Sequence, residues 1–197
     1  MATSADGDKI LHDLLDSAIE AKAHYQIWWA LANRARPRYV RSMNRFADFF
    51  IACQRALFDG MIIHIAHLYD RQRSSSSIEA YLRHAKSHLP TSVVSSVKTQ
   101  LTQFQGIVRA ILTIRHNIVA HKCAGLSERA VFKQAGVTPN QMRDLIHASV
   151  RIVESFRRAK GWTNGVFDNE RFEQSTLGLL KALDVGRKRV PSVRTSA

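Results

Sequence analysis

At 197 residues, 45% of them hydrophobic and 23% charged, the chain has the balance of a globular protein able to bury one substantial core. Nine Gly and four Pro are too few for a loop-rich all-β protein. With 29 Lys+Arg against 16 Asp+Glu, the net charge of +13 attracts polyanions: nucleic acid first, an anionic membrane surface second.

Helical periodicity runs the length of the chain. Leu11, Leu14, Leu15, Ala18, Tyr25, Trp28, Trp29 and Ala32 predict a first helix ending before Pro37. A second runs from about Val40 to Tyr69, with Phe46, Phe50, Cys53, Leu57 and Met61 on one face. "RQRSSSS" is a polar loop, and Ser76 with Glu79 has capping-box spacing for a short helix ending near Pro90. From Thr91 a helix carries the row Val94, Val97, Leu101, Phe104, Val108, Ile111, Arg115, Ile118.

Gly125 and Gly136 bracket another short helix. Thr138, Pro139 and Gln141 supply an N-cap, a first-turn proline and a capping-box glutamine. The helix they open shows Met142, Leu145, Ile146, Ser149, Ile152, Val153 and Phe156 and stops at Gly161. A last helix spans about Asn169 to Asp184, with Phe172, Leu179, Leu180 and Leu183. Nothing alternates at period two and nothing repeats. The expectation is an all-α antiparallel bundle of about four long helices plus short ones. It forms one domain over residues 1–185, followed by a basic, flexible tail over 186–197.

Two cysteines, Cys53 and Cys123, are too few for a disulfide framework or a zinc site. "MATSADGDKI" has no basic segment followed by an apolar one, and no uncharged apolar run reaches about 18 residues. A cytoplasmic setting without a membrane partner is expected.

The row in the helix after Pro90 contains an anomaly. Its steps alternate three and four residues, so Arg115 stands where the periodicity asks for a hydrophobic side chain. A guanidinium keeps its charge and is costly to bury unpartnered. Three readings stand open: an ion pair with Asp48, Asp59 or Asp70; an opening of the bundle onto a cleft or second subunit; or snorkelling at a helix end near Gly125. Around it, "TIRHNIVAHK" adds His116, Asn117, His121 and Lys122. A fixed cation beside a group titrating near ~6.5 suits phosphodiester chemistry. RNA brings its own nucleophile, the 2′-hydroxyl, so no metal cofactor is required. On a straight helix Arg115 and His121 point about 120° apart. They converge where the helix breaks or where two copies meet across a twofold axis.

"RHNIVAH" resembles the signature of the HEPN superfamily: an arginine, four to six residues, then a histidine. The "VAH" ending with a basic residue after it, and the upstream "LYDRQRSSSSIEAYLRH", resemble its abortive-infection subgroup. The likeness covers roughly residues 8–160. It implies an all-helical domain that dimerises to join two motifs, and in many members a metal-independent ribonuclease of host-defence or toxin–antitoxin systems. Other members bind RNA, nucleotide or a protein partner without turnover. Carried over, Arg115 binds the scissile phosphate, His121 moves a proton or positions the phosphate, and His116 supports both. Asn117 and Lys122 join them by helical neighbourhood. RNA, a second copy of the chain and a cognate antitoxin protein are the partners implied. The acidic residue that often follows the histidine in this subgroup has no counterpart in "KCAG".

Other features fit this frame less tightly. Arg34, Arg36, Arg38, Arg41 and Arg45 form a basic run, either a track for an RNA backbone or a solvated face. His84 and His88 are four apart, a spacing that can hold a metal, but with only Glu79 nearby they read as exposed histidines.

Overall fold

The computed structural model describes residues 4–34, 36–72, 75–116, 133, 135–163 and 169–189. They form eight α-helices and no strand: α1 (Ser4–Trp29), α2 (Arg36–Arg45), α3 (Ala47–Leu68), α4 (Ile78–His84), α5 (Thr91–Gln103), α6 (Gln105–Ile114), α7 (Pro139–Ala159) and α8 (Arg171–Arg189). A widened π turn, Ala30–Arg34, follows α1. The chain divides into two compact units, Met1–Lys22 with Asp59–Asp168, and Ala23–Phe58 with Asn169–Ala197.

In the first unit α5 and α6 pack on α7. Leu11 and Leu14 of α1, Ile62 and Ile65 of α3, and Leu145 and Phe156 of α7 are completely or almost completely buried. The Phe156 ring lies 4.7 Å from that of Tyr81 on α4. Thr138 forms the expected capping box with Gln141, Pro139 opening the helix behind it. Thr138→Ala leaves an orphan N–H in the first turn and should cost about 1 kcal/mol, read as a lower midpoint in urea denaturation.

The far end of α7 is closed by charge. Arg157, buried, donates to both carboxylate oxygens of Glu154 at 2.7 and 2.6 Å and to the Trp162 carbonyl, while Arg158 adds a bond to Glu154 at 3.0 Å. Gly161 takes a positive φ of 78°, which lets the Trp162 N–H return to the Arg157 carbonyl. The hydrogen bond from Arg157 holds the Glu154 carboxyl below its ordinary value of 4.5. A carboxyl whose folded value is depressed stabilises above its ordinary value and loses that contribution as pH falls through the lowered one. Glu154→Gln should therefore melt below wild type at pH 7. The gap between the two should close as melts are taken down from the ordinary carboxylate range through the lowered value.

In the second unit α2 packs on α8. Leu31, Tyr39, Met43, Phe50 and Leu180 form its core, with Cys53 and Leu57 against them. The Ser42 hydroxyl donates to Asp184 at 2.9 Å. The single helix expected from Val40 to Tyr69 is two, α2 and α3, parted at Phe46, whose N–H turns back to Met43. No Gly or Pro marks that break. The last helix runs beyond Asp184, to Arg189.

By length and composition α3 could cross a membrane, but its Met61, Ile62, Ile65, Ala66 and Leu68 are buried in the first unit.

Candidate functional site

Helix α6 follows α5 across a single turn residue, Phe104, whose N–H bonds Gln100 and whose carbonyl accepts from Val108. Its buried residues are Ile111 and Ile114. The row read from the sequence continued from Ile111 to Arg115; in the fold Ile114 closes it, and Arg115 turns out to solvent. The backbone N–H of Arg115 is shared between the carbonyls of Ile111 and Leu112, and the winding widens to π type over Arg115 and His116. Such a widening changes which residue faces the core, and it recurs at functional positions.

The Arg115 side chain is 47% exposed, and its Nη1 lies 3.9 Å from Oδ2 of Asp70. Of the three acids weighed as partners the structure selects Asp70, at the end of α3. The pair lies at the surface of the bundle, with Arg115 the more exposed partner. His116 is exposed beside it. His121, Asn117 and Lys122 lie outside the described residues.

Asp70 is placed by its own chain. Tyr69 before it is buried, and its hydroxyl lies 2.8 Å from Ser149 Oγ, which itself donates to the Leu145 carbonyl. Burial pushes the Tyr69 hydroxyl up to about 12, so it stays protonated and donates. After Asp70, the Gln72 N–H bonds its Oδ1 at 3.0 Å.

The serine-rich loop is more specific than its composition suggests. Ser75 Oγ lies 2.7 Å from the Gln72 carbonyl and 3.2 Å from that of Asp70. Ser76 donates to Asp13 of α1 at 2.6 Å. The N-cap of α4 is Ser77, not Ser76, and Ser77 accepts from the Ala80 N–H. Ser76 keeps the capping-box spacing to Glu79, but its hydroxyl is engaged with α1, so the cap falls one residue later than that spacing suggests.

The arginines of the basic run belong to the second unit, whereas Arg115 belongs to the first. Arg34 ends the π turn and Arg36 opens α2. Arg38, Arg41 and Arg45 are exposed, with Arg38 over the Tyr39 ring and Arg45 over the Phe46 ring. His84 is the last residue of α4 and His88 lies beyond it, so they do not share a helix face. Both line a cavity of about 430 Å³ with Tyr81 and Lys160. The His84 ring covers Gly7 so closely that a Cβ there would stand 2.5 Å from Nε2.

The all-helical fold, with Arg115 exposed just past the end of α6, agrees with the all-helical domain that the HEPN resemblance implies. The family model HEPN AbiU2, described as AbiU2, matches residues 6–175, and the chain belongs to this abortive-infection-associated HEPN family. Neither a curated protein nor a solved structure matches the chain.

Proposed function

We propose that this domain is an endoribonuclease that cuts RNA without a metal cofactor, with the Arg–His motifs of two subunits forming a shared site. The observation that carries this reading is the state of Arg115. It is half exposed, and its one charged contact among the described residues is long. The side chain is therefore accessible to a phosphate.

In this chemistry a base takes the proton of the ribose 2′-hydroxyl, and the 2′-oxygen bonds to phosphorus. The bond from phosphorus to the 5′-oxygen breaks, and that oxygen leaves with a proton. The products carry a 2′,3′-cyclic phosphate and a 5′-hydroxyl. The guanidinium of Arg115 meets the negative charge growing on the non-bridging oxygens. His121 moves the proton, in keeping with the family motif, and His116 supports the pair. Asn117 and Lys122 flank them. Arg34, Arg36, Arg38, Arg41 and Arg45 draw the RNA backbone to the domain. The setting is the cytoplasm, with a cognate antitoxin protein as the restraint on the nuclease.

The test is a labelled RNA incubated with purified protein in the presence of a chelator. Wild type should leave 2′,3′-cyclic phosphate ends, and His121→Ala should cut at least about 100-fold more slowly. RNA that is bound with a steep salt dependence yet stays intact would replace this reading with a non-catalytic binding module.

A further inference from the structure

We propose that Asp70 is the positioning residue of this site: its carboxylate, 3.9 Å from Nη1, draws the Arg115 guanidinium to one side by charge and leaves the other edge to the phosphate. The inference rests on the reading of Arg115 as a phosphate-binding group.

Asp70 is fixed on both sides. Upstream, Tyr69 is anchored through Ser149 to α7. Downstream, the Gln72 N–H occupies Oδ1, and the single proton of the Ser75 hydroxyl is shared between the Gln72 and Asp70 carbonyls. Ser76 then ties the same loop to α1 through Asp13. With Oδ1 engaged, Oδ2 is the oxygen turned to Arg115, and the Asp70 side chain is only 19% exposed.

A surface ion pair that only adds stability has no need of this apparatus, because such pairs contribute little. A guanidinium that must meet a phosphate in one geometry does need it, since a misplacement of about 1 Å can cost 100-fold in rate. The serine-rich loop thus works as a support for the site, in addition to joining α3 to α4. The carboxylate also carries a cost in affinity: a negative charge beside the site repels the RNA backbone.

These two effects have opposite signs, and Asp70→Asn separates them. The amide keeps the shape and removes the charge. It should lower kcat about 10- to 100-fold while leaving KM unchanged or lower. The melting temperature should move by no more than a few degrees. Loss of stability alone gives neither a falling kcat with a falling KM nor an effect that depends on Arg115.

The second arm is a double-mutant cycle of Asp70→Asn with Arg115→Ala, read both in cleavage and in binding of a fluorescent single-stranded RNA. If Asp70 acts through Arg115, Asp70→Asn changes nothing further in the Arg115→Ala background. Additive effects, or a kcat for Asp70→Asn within about threefold of wild type, would overturn the proposal. A wild-type protein that binds RNA without cutting it sinks the nuclease reading alone, and the binding cycle then decides on Asp70.

Discussion

Arg115→Ala should lower RNA cleavage by at least about 100-fold and shift stability by about 1 kcal/mol or less. The asymmetry follows from where the side chain lies. A buried guanidinium deprived of its partner, or removed from one, costs several kcal/mol. Arg115 is half exposed and meets Asp70 at 3.9 Å, longer than a hydrogen bond. Asp70 keeps the Gln72 N–H when the arginine is gone, so no buried charge is orphaned. Chemistry is more demanding. Removing one preorganised donor from a developing oxyanion typically costs 100- to 1,000-fold in rate, about 2.7–4 kcal/mol. Arg115→Lys keeps the charge but loses the planar fork that spans two phosphate oxygens, and should recover only part of the rate. Thermal melts and cleavage rates on the same preparations check both halves. A variant that unfolds, while Arg115→Met folds normally, would make Arg115 a structural residue.

Phe156→Ala should give the opposite pattern, a large loss of stability from a residue remote in sequence from the motif. Phe156 is fully buried on α7 and its ring meets Tyr81. Truncating such a phenylalanine removes its transfer free energy and leaves a cavity, about 3–5 kcal/mol in comparable cores. Against a total of about 5–15 kcal/mol this is a large share. For a chain of this length it corresponds to a fall in melting temperature of roughly 6–20 °C. Differential scanning calorimetry reads it directly. A fall of less than about 3 °C would mean that the core around α4 and α7 repacks, contrary to the burial seen here.

Much of this architecture was legible in the sequence, and the parts that were not have physical causes. The capping box at Thr138, the stop at Gly161 and the buried row of α7 depend on local rules, and all appear in the structure. The break at Phe46 was not legible, since hydrophobic periodicity runs through it without Gly or Pro. It falls where α2 packs on α8, a contact between segments far apart in the chain.

At the site, the sequence showed that Arg115 broke the hydrophobic row and offered Asp70 among three partners. It could not choose between them, because the choice depends on how the end of α3 meets the end of α6. Nor could composition show that Ser75, Ser76 and Ser77 have three different tasks: a brace on Asp70, a tie to α1 and a cap on α4.

The most direct measurement uses two oligonucleotides of one sequence, one entirely ribose and one entirely deoxyribose, each incubated with chelator and with wild type or Arg115→Ala. The expected result is that only the ribose strand is cut, only by wild type, with 5′-hydroxyl ends. Cleavage of the deoxyribose strand, or ribose cleavage that survives loss of Arg115, would contradict a site in which Arg115 holds the phosphate for attack by the 2′-hydroxyl.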